Sequence, residues 1–162
     1  MPRFLCDEML GHLCRYLRAA GYDTLFDTSG LPDRDLLKRC QEEGRYFLTR
    51  DPLIIEHKAA LGIAFILPNA ELEQLAAITG AHFHLDWLGH AFTRCMEDNT
   101  LLLAADEAAL QRIPLDARRA GETFSYCPSC LRVYWQGSHY KRMRDRLIKW
   151  EAARTKSNQT DL

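Results

Sequence analysis

Six residues, Tyr46-Phe47-Leu48-Thr49-Arg50-Asp51, constrain the fold more than any other part of the chain. Gly44 before them and Pro52 after them punctuate both ends. A short apolar run of this kind fits a strand covered on both faces, as the central strands of parallel sheets are. It stops on a hydroxyl, a cation and a carboxylate. In open α/β sheets ligands gather outside the carboxyl ends of the strands, which is where Asp51 is expected. Arg3-Phe4-Leu5-Cys6 makes the same move and is followed at once by Asp7 and Glu8. Two parallel strands ending in acids set carboxylates side by side, one way to hold a divalent cation. Taken singly, each Asp serves equally well as the N-cap of a following helix.

The rest of the first half alternates in the same style. Met9 to Ala20 reads as an amphipathic helix, with Met9, Leu10, Leu13, Cys14 and Leu17 on its apolar stripe and Gly21 as its stop. Tyr22 to Phe26 reads as a strand. Asp33 is the expected N-cap of a second helix bearing Leu36, Leu37 and Cys40, with Asp35 in its first turn. A short helix over 52–60, a strand over 63–67 and a helix over 70–79 complete the pattern of an α/β fold with a parallel sheet.

Around residue 80 the texture changes, and His82, His84, Asp86, Trp87 and His90 crowd a polar-aromatic stretch with no assignable period. Further on, Leu101 to Leu103 fits a short strand and Asp106 to Leu110 a helical turn. Phe124-Ser125-Tyr126, Cys127-Pro128-Ser129-Cys130 and Leu131 to Trp135 give strand, Cys-x-x-Cys turn, strand. A helix is expected over 138–154. The domain reading is therefore 1–90 for the α/β unit, 91–156 for a small C-terminal module with a basic helix, and 157–162 for a frayed tail.

A chain of 162 residues, 47% hydrophobic and 27% charged, holds one medium domain with a small appendage. No apolar run approaches the ~18 residues of a membrane span, and no secretory signal is visible, so the expected location is cytoplasmic. Net charge is −1 but unevenly distributed. Residues 1–93 hold 13 acids against 9 Lys/Arg, and residues 94–162 hold 9 against 12. That asymmetry fits a carboxylate site beside an anion-binding surface.

Cys6, Cys14 and Cys40 sit in apolar patterns and read as small buried hydrophobes. Cys95, Cys127 and Cys130 read as metal ligands. Structural zinc takes four ligands, commonly as two Cys-x-x-Cys pairs, and Cys127/Cys130 make one such pair. The second pair is Cys95-Met96-Glu97-Asp98, with a carboxylate where a thiolate is expected. Asp98 as fourth ligand, His90 as fourth ligand, and loss of the metal all stay open.

Asp7, Asp35 and Asp51 are the candidate ligands of Mg²⁺ or Mn²⁺, which activate water and offset charge on a phosphodiester. Arg15, Arg18 and Arg50 are candidate phosphate ligands, guanidinium being suited to bidentate contact. His139 and Arg142, in the basic stretch that runs to Lys156, are further candidates for substrate binding. Tyr134, Trp135, Tyr140 and Trp150 interleave that stretch, a combination that suits nucleic acid.

Phe4 to Gly11, Leu13 to Arg18, Gly21-Tyr22-Asp23 and Leu48-Thr49-Arg50-Asp51 together resemble the PIN-like RNase family named after the C-terminal domain of the Mut-seven protein. Arg94-Cys95, Asn99, Cys127 to Cys130 and Tyr134-Trp135-Gln136-Gly137-Ser138-His139 resemble the zinc ribbon that this family carries at its end. The resemblance implies a three-layer α/β/α nuclease domain with a fused zinc ribbon, acting as a metal-dependent ribonuclease on RNA. It places Asp7, Asp35 and Asp51 on the acidic positions, with Asp33 as alternate for Asp35. Asp98 departs from the family pattern, which has Cys before Asn99. The expected function is thus an endoribonuclease; the rivals are a non-catalytic RNA-binding protein and a toxin-type nuclease held by a partner.

Overall fold

Four strands run parallel in the order β2-β1-β3-β4: β1 Phe4–Cys6, β2 Thr24–Phe26, β3 Tyr46–Thr49 and β4 Ala64–Ile66. They belong to a computed structural model that describes residues 1–118 and 122–160. Successive side chains of a strand point to opposite faces. Phe4, Cys6 and Leu48 accordingly enter one core with Leu13, Leu17, Leu75 and Trp87. Leu5 and Phe47 enter the other with Leu36, Leu37, Cys40 and Ile54. Both faces of β1 and β3 are covered, as the uninterrupted apolar runs require.

The helices follow their stripes, with local corrections. A 3₁₀ turn, Glu8–Leu10, precedes α1, Gly11–Ala19, whose Leu13, Cys14 and Leu17 are buried. Gly21 then turns the chain at φ 94, where a Cβ would stand 2.2 Å from the carbonyl oxygen of His90. Only glycine fits there. The second helix, α2, Asp33–Glu43, is entered from Pro32, so Asp33 is its first residue and not its cap. Residues 52–60 form two 3₁₀ turns, Pro52–Glu56 and Lys58–Ala60, and not the expected helix, because extended backbone at His57 separates them. Helix α3, Leu72–Phe83, closes on His84 in the left-handed region.

Beyond it, β5 Leu103–Ala104, β6 Ser125–Tyr126 and β7 Val133–Tyr134 form an antiparallel sheet in that order, with a short helix α4, Glu107–Gln111, between β5 and β6. The last helix, α5, spans Ser138–Thr160 and so passes the expected end at 154. Of the expected tail, residues 161–162 lie outside the described residues. Met143, Leu147 and Trp150 of α5 join the core under β1 and α1. Trp150 meets Trp87 and Tyr16 edge-on at 4.9 and 5.0 Å. That burial removes Trp150 from the rings available for stacking. No helix among the described residues is long and apolar enough to cross a membrane.

Candidate active site and metal centre

β1 and β3 are neighbours, so Asp7 and Asp51 emerge on the same carboxyl edge of the sheet. Thr49 joins them. Its hydroxyl donates to Asp7 Oδ2 at 2.5 Å and accepts the Asp51 amide at 3.0 Å. The Arg50 amide also donates to Asp7 Oδ2, at 3.3 Å, and the Met9 amide to Oδ1, at 3.0 Å. Asp51 Oδ1 accepts the Leu53 amide at 2.9 Å. Each acid therefore caps the 3₁₀ turn that follows it, and capping fixes where the carboxylates stand.

Asp35 lies in the first turn of α2, which begins at the same edge, and pairs with Arg34 at 3.5 Å. Asp7, Asp35 and Asp51 do not come together as a set within 4.8 Å. They offer an acidic edge and not a closed cage, a donor arrangement that suits a cation retaining several waters.

Beside this edge lies a cavity of about 610 Å³ lined by Glu8, His12, Arg50, Asn69 and Glu71 among others. Glu8 and His12 are four residues apart, facing one side. That spacing could have flagged His12. Glu71 and Asn69 arrive only through the turn after β4. Arg50 donates to the Ala70 carbonyl at 2.9 Å and to Asn69 Oδ1 at 3.4 Å. Its Nε is the one buried side-chain nitrogen or oxygen without a partner among the described residues.

The second site is closed. Ligand atoms of Cys95, Asp98, Cys127 and Cys130 all lie within 4.8 Å of one another, the only such group among the described residues. Two thiolates ~2.3 Å from one zinc lie about 3.8 Å apart at the tetrahedral angle. Cys95 and Cys130 sulfurs are 3.7 Å apart. A carboxylate oxygen and a thiolate on the same ion lie about 3.5 Å apart; Asp98 oxygens stand 3.3 and 3.4 Å from Cys127 Sγ. The donor set fits zinc, and Asp98, not His90, stands at the fourth position.

Around the ligands, Cys127 Sγ accepts the Cys130 amide at 3.4 Å, and Tyr134 Oη lies 3.1 Å from Cys95 Sγ. Burial pushes the Cys95 thiol up to about 12. Burial also works to raise Asp98, but hydrogen bonds from the Thr100 amide and the neighbouring thiols outweigh it and hold the carboxyl well below its ordinary range. Metal binding therefore displaces a proton from the Cys95 thiol while the Asp98 carboxylate is already charged.

The loop between Cys95 and Asn99 is braced from the α/β side. Arg18 is 7% exposed and donates to the carbonyls of Thr24 at 2.8 Å, Met96 at 3.1 Å and Glu97 at 2.8 Å. The structure thus places Arg18 as an internal brace and away from solvent, not on a phosphate-facing surface. Arg15, on the same helix, faces outward to Glu97 at 2.9 Å and stands 3.5 Å from His139 Nε2. Arg142 and His139 line a groove of about 600 Å³ with Tyr16, Arg146 and Lys149. Asn99 holds left-handed backbone at φ 73, accepts the Thr24 amide at 2.9 Å and donates to Asp23 Oδ1 at 2.7 Å.

Fold and sites together define a class: a parallel α/β domain with an acidic carboxyl edge, joined to a small antiparallel sheet that closes on a Cys3Asp cluster. The chain belongs to the Mut7-C RNAse domain family, whose model matches residues 2–147. No curated protein and no solved structure matches it.

Proposed function

We propose that the protein is a metal-dependent endoribonuclease of PIN-like architecture, with a structural zinc ribbon that helps hold RNA. The observation that carries this reading is the Asp7–Thr49–Asp51 arrangement at the carboxyl edge of a chain in an RNase-domain family. Asp7 and Asp51, with Asp35 or Asp33 from α2, would hold Mg²⁺ or Mn²⁺. When bound, such an ion generates a nucleophile from water and offsets charge on the phosphodiester. Thr49 and the amides of Met9, Arg50 and Leu53 hold the carboxylates in place. Arg50, anchored through its Nη atoms and with Nε unpaired, orients a phosphate beside them. Cys95, Asp98, Cys127 and Cys130 would hold zinc as a structural ion.

Incubation of the purified chain with Mn²⁺ and single-stranded RNA tests the reading. Asp51→Asn keeps the oxygen that caps Leu53. Asp7→Asn keeps the one that caps Met9 while turning an NH2 toward the Thr49 hydroxyl and Arg50 amide, so each variant's melting temperature is read alongside. Cleavage should fall about 10²-fold or more. Equal cleavage by both variants and wild type sinks the assignment. A non-catalytic RNA-binding role draws on one observation, that the three acids do not close to 4.8 Å. It predicts salt-sensitive binding and no cleavage with any divalent ion.

A further inference from the structure

The basic C-terminal stretch carries four aromatic residues, and the structure occupies three of them. Trp150 is in the core, Tyr134 meets Cys95 and the Met96 amide, and Tyr140 lies against Phe92 with ring centroids 4.1 Å apart. Trp135 remains, half-buried, on the wall of a cavity of about 460 Å³ between the α/β domain and the small sheet. Gly137 keeps this wall open at close range: a Cβ there would stand 3.0 Å from the indole Nε1. Arg15 enters the cavity from α1, Arg132 from the approach to β7 and His139 from the start of α5. Both arginines face the single carboxylate of Glu97, at 2.9 and 3.9 Å. Two guanidinium groups against one carboxylate leave a positive charge for an anion.

We propose that this seam cavity is a nucleotide subsite for single-stranded RNA, in which a base stacks on Trp135 and the adjoining phosphate is held by Arg15, Arg132 and His139. The chemistry is that of single-strand readers: a π-face that accepts any base, with cations tracking the backbone. The proposal rests on the ribonuclease reading and adds the place where the strand is gripped away from the acidic edge. His12 and Arg15 lie three apart on α1, so one helix face connects the two sites. From Asp7 to Arg15 the chain passes one 3₁₀ turn and the first turn of α1, a rise of about 13 Å at ~2.0 and ~1.5 Å per residue. A stacked strand covers that span with three to four nucleotides at ~3.4 Å each.

The test uses the full-length, zinc-loaded chain carrying Asp7→Asn, without added Mg²⁺ or Mn²⁺, so that binding is read apart from cleavage. Affinity for a fluorescein-labelled single-stranded RNA is measured in parallel with affinity for heparin, a polyanion without bases. Adding Trp135→Ala should weaken RNA binding about tenfold and leave heparin binding unchanged, while Trp135→Phe keeps most of the RNA affinity. Arg132→Ala should flatten the dependence of log affinity on log salt by about 0.7. Unchanged RNA affinity in Trp135→Ala, with zinc content and melting temperature intact, overturns the subsite. So does an equal loss for RNA and heparin. Absence of cleavage by the wild type would strike the ribonuclease reading alone.

Discussion

Asn99→Ala tests how the cysteine loop is fastened to the sheet. The Asn99 side chain accepts the amide of fully buried Thr24 and donates to Asp23, on the edge strand side of the α/β domain. Truncation strands a buried amide, at about 1–3 kcal/mol, and removes a bond to a charged acceptor, at about 1 kcal/mol or more since Arg45 and Arg3 still serve it. Alanine at φ 73 adds up to about 1 kcal/mol, because it keeps the Cβ of asparagine but lacks the short polar side chain that lets asparagine tolerate left-handed backbone. The sum is about 2–5 kcal/mol, which for a domain of this size lowers the melting temperature by about 10 °C. Asn99→Gly loses the same hydrogen bonds without the left-handed strain and should recover up to about 1 kcal/mol of it. Circular-dichroism melts of the zinc-loaded protein decide the matter. A loss under about 1 kcal/mol in Asn99→Ala, or a glycine variant less stable than the alanine one, refutes the clamp.

The same variant has a pH signature. Burial works to raise Asp23, but hydrogen bonds from Arg45, Asn99 and Arg3 outweigh it and hold the carboxyl well below its ordinary range. A depressed folded pKa stabilises the protein above the unfolded value of ~3.9, and that stability is lost as pH falls further. Without Asn99 the folded pKa of Asp23 rises toward that value, so Asn99→Ala should lose less stability than the wild type as pH is lowered below about 4, read from urea melts at neutral and acid pH. Arg18→Met removes donors from three carbonyls and should cost about 3 kcal/mol or more in urea unfolding, without altering the salt slope of RNA binding. Asp98→Ala should lower zinc affinity beyond the ~10–100-fold typical of outer-shell changes, and Asp98→Cys should raise it, both read by competition with a chromogenic chelator. Undiminished zinc in Asp98→Ala removes that residue from the ligand set.

The parallel sheet was legible because its central strands are apolar without interruption, and only burial on both faces explains such runs. The three cysteines were legible because Cys-x-x-Cys spacing declares itself locally, whereas the choice between Asp98 and His90 stayed open until the fold brought Asp98 to them. What escaped depended on distant parts of the chain. Arg15 and Arg18 have the same spacing signal, yet Arg18 folds inward because Met96 and Glu97 present carbonyls to it from 78 and 79 residues away. Residues 52–60 carry helix-compatible side chains, but the extended backbone at His57 breaks them into two turns. Glu71 and Asn69 reach the acidic edge only after β4 has been laid beside β3, so no local pattern announces them. Asp7 and Asp51 invited both a capping and a ligand reading. The structure shows the capping half, and the amides that cap them also hold them at the edge where a ligand is expected.

Residues 95–99 hold the two halves of the molecule in register. Cys95 and Asp98 belong to the Cys3Asp cluster, and the Met96 and Glu97 carbonyls receive Arg18. The Glu97 carboxylate meets Arg15, and Asn99 meets Thr24 and Asp23. Every residue of the loop thus contacts either the cluster or the α/β domain. A zinc ion that orders this loop orders Arg15 with it, and Arg15 lies on the helix that starts beside Asp7. On the proposed reading, an RNA strand seated against Trp135 meets the acidic edge at a spacing set by α1. Metal loss at the cysteine site should then impair cleavage through substrate placement, without touching Asp7 or Asp51.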